Sequence, residues 1–414
     1  MPSHPLRAAA LAAACLPLLG FTQVIAAPLS LDQAVELAAQ RSHLTQAARA
    51  GTASAAEMAR TAGQLPDPML TVSIDNLPAT GRSRFSPTAE DMTMKRIGMA
   101  QEWVSAEKRA AREAVATAQQ QRESVMEPVA AAEARMLTAM AYVEAYYAGE
   151  GWQLSSLNEQ HAREALAAGK GRLASSSGDS GEVLALTSAL GAAEDESADQ
   201  RQQQASAAAN LQRWIGTTSD ELLEPRWDAV PGQDDFVARH PVALARQRDV
   251  EVARQEAQAA QLNRQPNWRY ELSFGQRSGR PDLLSFGVSI PLPVAPAARQ
   301  DRETAARLAM VEKTQADLAE ALRAAAGEYA ALASDAARLR QRIDRYQTAV
   351  LSPLRQRTQT TLAAYRANQA SLAMLFEARH AEVEAQRKLL GLQRDLARTQ
   401  AQLVFKPVVQ GAAR

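Results

Sequence analysis

Residues 308–346 read LAMVEKTQADLAEALRAAAGEYAALASDAARLRQRIDRY, and their apolar side chains fall on two seven-residue ladders. Leu308, Leu322, Tyr329, Ala336, Ile343 and, just beyond, Val350 form one, with Gln315 its only polar rung. Val311, Leu318, Ala325, Leu332, Leu339 and Tyr346 form the other, offset by three. These are the a and d positions of a heptad, so the segment reads as a long helix that buries a narrow stripe against partner helices and solvates the rest. The partner follows in the chain. Leu375, Leu389, Leu396 and Leu403, beside Phe376, Val383, Leu390, Ala397 and Val404, repeat the period, and residues 365–372 supply the reversal. A helix of about 60 residues at ~1.5 Å per residue is about 90 Å long, roughly three times a small domain's diameter. The chain is built to span a distance.

Composition agrees. The 414 residues are poor in aromatics (5%), with only 19 Pro and 20 Gly, the proportions of long helices. With 46 basic and 46 acidic side chains the formal charge is zero, so there is no basic field for nucleic acid to bind. Arg7 precedes an apolar run, Ala8 to Phe21, and Val24-Ile25-Ala26 offers a small-residue cleavage site; residues 1–26 read as a signal peptide. Cys15, the single cysteine, lies within it, either removed with it or lipidated, since Ala12-Ala13-Ala14-Cys15 loosely resembles a lipoprotein box. No later stretch has 18 consecutive apolar residues, which leaves an exported chain that is periplasmic, secreted or a β-barrel.

From Leu31 to Gln64 the spacing predicts one amphipathic helix opened by Ser30, ending at Leu65-Pro66-Asp67-Pro68. The period then becomes two. Leu70, Val72 and Ile74 alternate with Thr71, Ser73 and Asp75, and after a loop Ile97, Met99 and Trp103 alternate with Arg96, Gly98, Ala100 and Glu102, predicting strands near 69–77 and 93–103. A helical pattern resumes at Ser105, breaks at Gly169 to Gly181, continues to Ile215, and gives way to a linker over 216–240.

The programme then repeats over 241–405. Adding 200 carries Leu44 to Leu244, Pro66 to Pro266, and Leu70, Val72 and Ile74 to Tyr270, Leu272 and Phe274. Strands are expected near 268–276 and 283–292, a second helical tip at 366–371, and a tail over 406–414. Each strand has an apolar face and a polar or tiny one, the pattern of a membrane barrel but equally of a soluble sheet with one wet face. Two hairpins give four strands, too few to enclose an aqueous interior, and open edges are not tolerated in lipid. Chains that pooled their strands would satisfy both constraints.

In this order and repetition, the Leu31-Asp32-x-Ala34 opening, the Gln64-Leu65-Pro66-Asp67-Pro68 junction and the turn Tyr365-Arg366 with Ser371 and Leu375 resemble the TolC family of outer-membrane efflux channels, over Leu29 to Lys406. The resemblance implies a mainly α chain with a membrane β-barrel part: a homotrimer closing a 12-stranded barrel on a periplasmic helical tunnel. It also implies a periplasmic adaptor (membrane fusion) protein and an inner-membrane RND-type pump as partners, and the outer membrane as location. Asp67-Pro68-Met69-Leu70, Ile74-Asp75-Asn76-Leu77-Pro78 and the stretch from Met92-Thr93-Met94 through Gln101-Glu102 most resemble the heavy-metal members, of the CusC and CzcC types. Two departures stand out: Asn368 replaces the family's glycine, and the first tip is longer than the second. The alternatives are a periplasmic or secreted coiled-coil scaffold, or an exporter of organic toxicants.

No nucleophile–base or metal-ligand spacing suggests an enzyme, and no cofactor is implied. His43, His161, His240 and His380 are scattered, without companions for a metal site. Met92, Met94 and Met99 are soft thioethers that could meet copper or silver, though methionine also fills strand faces. A closed tunnel needs a constriction, and the reversals are where the backbone leaves the superhelix. Gly169, Lys170, Arg172, Asp179, Glu182, Arg366, Asn368, Gln369 and Glu377 are therefore the candidate gate and adaptor-docking residues, with the glycines expected to supply unusual dihedrals.

Overall fold

The computed structural model describes residues 28–175, 178–219, 221–227 and 229–409. The segment expected to be a signal peptide, with Cys15, lies outside them. The first repeat comprises α1 (Leu31–Arg41), α2 (His43–Ala62), β1 (Met69–Asp75), β2 (Met94–Trp103), α3 (Ala106–Ala174) and α4 (Ser180–Ile215). After α5 (Gln233–Ala238) the second comprises α6 (Pro241–Leu262), β3 (Trp268–Arg277), β4 (Leu283–Ser289), α7 (Gln300–Tyr346), a π turn (Gln347–Leu351), α8 (Ser352–Arg366) and α9 (Leu372–Phe405). The two hairpins join in one antiparallel sheet, ordered β1-β2-β3-β4.

Four expectations need correction. The helix over 31–64 is two helices, because Ser42 turns extended and its Oγ accepts the Thr45 N–H at 3.2 Å, capping α2. The helix after Tyr346 is not uniform: the Ser352 N–H reaches back five residues to the Gln347 carbonyl just before Pro353, a residue with no N–H to give and a ring that crowds the preceding turn. The linker over 216–240 carries secondary structure among its described residues. It holds α5 and a parallel bridge between Leu29 and Leu222, and the Tyr142 hydroxyl lies 2.7 Å from the carbonyls of both Leu29 and Leu223. The start of the tail is docked as well, since the Val408 N–H donates to the Arg239 carbonyl at 2.8 Å and Val408 is buried.

The core is a series of small clusters strung along the helices. Around Tyr142, which is fully buried, Ala34, Val35, Ala139, Ala145, Leu211, Ile215 and Ala401 bring α1, α3, α4 and α9 together; the alanines let the helices approach closely. Phe236 of α5 is buried with Ala336 and Leu403, tying the middle segment to α7 and α9. Burial of each such large side chain stabilises by about 1.5–3 kcal/mol. The heptad seam of α7 is only partly covered: Ala325 and Ala336 are buried, whereas Leu308 and Leu322 stay 46% and 38% exposed.

Candidate functional site: the sheet and the helical ends

Register places the strand residues in rows. Leu70–Met99–Leu272–Phe286 and Val72–Ile97–Phe274–Leu284 lie on one face, continued toward the helices by Tyr270–Val288 and the pair Trp103–Trp268. Thr71–Gly98–Ser273–Ser285 and Met69–Ala100–Glu271–Gly287 lie on the other. Among the described residues no helix packs across either face. Val72, Phe286 and Leu284 are accordingly 70–74% exposed, while Gly98, Ala100, Ser273 and Gly275 are buried by the sheet's own curl. The concave side has to be small: a Cβ on Gly98 would come within 2.9 Å of the Ser273 Cβ, and one on Gly275 would strike the Met94 thioether. The ten residues of β3 extend about 33 Å, comparable with the roughly 25 Å apolar band of a tilted membrane strand. The outer edges of β1 and β4 have no strand partner among the described residues.

The soft-metal possibility gains nothing from this geometry. Met94 faces the concave side beneath Gly275, Met99 faces the apolar side, and Met92 projects from the loop. Among the described residues no three His, Cys, Asp or Glu side chains are grouped to hold a metal ion.

Where strands give way to helices, Lys108 is buried. Its ammonium donates to the Gln265 carbonyl and to Asn267 Oδ1 (3.0 Å), fastening α3 to the loop before β3, and burial, with Arg112 nearby, lowers its pKa. Asn267 in turn donates to Glu102 at 2.7 Å.

At the opposite end the two reversals share a core. Ala165 and Leu166 of α3, Leu186 of α4, and Leu372 and Leu375 of α9 are buried together, with Leu362 and Tyr365 of α8 against them. The sequence-predicted residues are therefore neighbours, but the glycines among them do not supply the unusual dihedrals expected. Gly169 and Gly171 lie inside α3, which runs on to Ala174, and no glycine here has positive φ. Gly169 provides close approach instead, since a Cβ there would meet Leu186 Cδ1 at 2.8 Å. Lys170 is exposed, Arg172 pairs with Glu182 at 3.7 Å across the turn, and Asp179 caps α4 by accepting the Gly181 N–H. In the second turn Asn368 takes the left-handed conformation (φ 57°) and the Gln369 N–H donates to the Ala364 carbonyl. Arg366 and Glu377 are exposed, and no ion pair joins them among the described residues. Sequence reading passed over Leu184 and Met374, 71% and 55% exposed at this end, because they sit within otherwise ordinary amphipathic patterns.

A curled four-stranded sheet with a bare apolar face, carried on long helical hairpins, is the fold of outer-membrane channel proteins. No family model matches the chain, and no curated protein sequence matches it. Solved structures do. The outer membrane protein VceC from Vibrio cholerae matches with a TM-score of 0.73 at 18% identity, over 91% of this chain and 95% of that one. The open state of the Neisseria gonorrhoeae MtrE outer membrane channel gives 0.75 at 15% identity, over 91% and 88%. CusC, solved in connection with folding and transmembrane channel formation, gives 0.72 at 13%, over 92% of each chain. At these identities the likeness is one of fold, and CusC is no nearer than the others.

Proposed function

We propose that the chain is a subunit of a TolC-type outer-membrane efflux conduit, a homotrimer whose sheets close a 12-stranded barrel over a periplasmic helical tunnel. One observation carries this reading: a curled sheet whose apolar face is uncovered and whose two edges are unpaired among the described residues, small and polar on the side it curls around. Such a sheet is incomplete alone, and pooling strands with copies of itself removes the edges that lipid does not tolerate. Substrate would arrive from an inner-membrane RND-type pump through a periplasmic adaptor and pass without chemistry. Detergent-solubilised protein, purified from the outer-membrane fraction, should have about three times the chain mass and conduct ions in planar bilayers. Recovery of a monomer from the soluble periplasm would favour the scaffold alternative and overturn the reading.

The cargo we propose is heavy-metal cations. Support comes from the motif resemblance at residues 67–70, 74–78 and 92–102. Loss of the gene should sensitise cells to one or more of copper, silver, cobalt, zinc and cadmium; sensitivity to organic drugs alone would replace metals by organic toxicants.

The gate and adaptor surface we assign to the joined reversals, at Gly169, Lys170, Arg172, Asp179, Glu182, Arg366, Asn368, Gln369 and Glu377. Exposed ion pairs contribute only ~0–1 kcal/mol each, so contacts of this kind between subunits can hold a closed state and yield to an adaptor. The double variant Arg366→Gln/Glu377→Gln should raise single-channel conductance with the trimer intact; unchanged conductance, with no adaptor crosslinks at either turn, would place the gate elsewhere.

A further inference from the structure

The strands meet the helices at one end of the sheet, so the loops over 76–93 and 278–282 lie at the other. This far rim is rich in charge, and its charges are not all matched. Arg280 is held by Asp91 at 2.7 Å, joining the two loops, and Arg96 by Asp75 at 3.0 Å on the concave side. Arg82, Arg84 and Lys95 are exposed and make no ion pair among the described residues. In the same loops only Glu90 and Asp282 are acids without a salt-bridge partner there.

Lys95 sits where the apolar face ends. Its row is Ile74–Lys95–Gln276, directly beyond Val72–Ile97–Phe274 on the same face. A lysine at that position lays its methylenes along apolar neighbours and carries its ammonium into the layer beyond. The loop above presents an aromatic in an unusual way. Phe85 is 59% exposed, adopts φ 57°, and has the Arg84 guanidinium 4.8 Å from its ring centroid. A bulky residue avoids that conformation, yet this one is fixed in it by its N–H to the Pro78 carbonyl at 2.8 Å. Strain that keeps an aromatic outward with the Arg84 guanidinium over it suits a rim lying at headgroup level, where aromatic rings and basic side chains concentrate.

We propose that this rim, Lys95 with Arg82 and Arg84, binds the phosphate-bearing headgroups of anionic lipid in the outward-facing leaflet. The inference rests on the membrane reading above and adds a lipid-binding surface to it. Charge complementarity and continuity with the bare apolar face select lipid: a soluble anion would need only the charges, whereas here the nearest cation continues the row of side chains facing the acyl region.

The test uses the full-length protein in mixed detergent micelles, titrated with fluorescent lipid A, a bisphosphorylated glycolipid, and separately with inorganic phosphate. Insertion into phosphatidylcholine liposomes is measured in parallel by flotation. Each cation near a charged membrane surface is worth roughly fivefold in affinity, so Arg82→Gln/Arg84→Gln/Lys95→Gln should bind lipid A about a hundredfold more weakly, whereas Arg82→Lys/Arg84→Lys/Lys95→Arg should stay within about twofold of the parent. Unaltered affinity in the neutralised variant, with both proteins inserting normally, would overturn the inference and leave the conduit standing. Equal competition by millimolar inorganic phosphate would overturn it by making the rim a phosphate site. Failure of the parent protein to enter any bilayer would overturn both.

Discussion

His240 illustrates what a single residue does in this chain. It is 5% exposed between α5 and α6, with its Nε2 3.3 Å from Glu328 Oε2, while Lys406 pairs with the same carboxylate and the Phe236 ring lies 5.8 Å away. Burial, and then the Lys406 charge, push its pKa below the usual 6.5, outweighing Glu328. A depressed value means that the neutral form supports the fold: the contribution is present above pH 6.5 and is lost as pH falls through the folded-state value. Thermal unfolding should therefore move to lower temperature on acidification below about pH 6.5, with a shallower dependence in His240→Gln. In the sequence this histidine looks isolated, because Glu328 is 88 residues away and Lys406 a further 78. Asn368 was easier to read. It stands where glycine is expected and has the left-handed φ that explains the expectation. Asn368→Gly should stabilise the turn by about 0.5 kcal/mol, and Asn368→Val should cost about 1–2 kcal/mol, measured by denaturant unfolding.

At the scale of elements, period alone marked the strands, their facing, and both long helices of the second repeat. It failed where one residue overrides a pattern. Ser42 splits a continuous amphipathic stripe by capping, and the π turn before Pro353 moves the buried position from the rung Val350 to Leu351. The first tip was set too wide because glycine was read as a breaker. Gly169 is a spacer, needed by a leucine on another helix that composition cannot point to. Two substitutions in α3 separate these roles. Gly171 faces open space, so Gly171→Ala should stabilise by about 0.5–1 kcal/mol through helix propensity. Gly169→Val, driven against Leu186, should destabilise the helical end by about 1–3 kcal/mol. Calorimetry distinguishes them by opposite shifts of the transition.

Taken whole, the described chain leaves apolar surface bare: the sheet face together with Leu308, Met310 and Leu322 of α7. In the proposed trimer the rungs Leu308 and Leu322 face a neighbouring subunit, so Leu322→Arg should release monomers in detergent that light scattering resolves, with helical circular dichroism retained. That surface was legible in the sequence as a seam, but which rungs meet the chain's own helices and which do not depends on the crossing of α6, α7 and α9. Spacing carries no information about that crossing.

The joining of both hairpins in one sheet also dictates a timetable. β2 ends at Trp103 and pairs with β3, which begins at Trp268, so the first hairpin is made long before its neighbour exists. At synthesis rates of about 5–20 residues per second, the intervening chain takes roughly 8–33 s to emerge. Throughout that interval Leu70, Val72, Ile97 and Met99 have no β3 to join, and a lone two-stranded hairpin is at best marginally stable. On the proposed route to the outer membrane, a chaperone that shields these apolar residues would raise the share of this protein that reaches its final place.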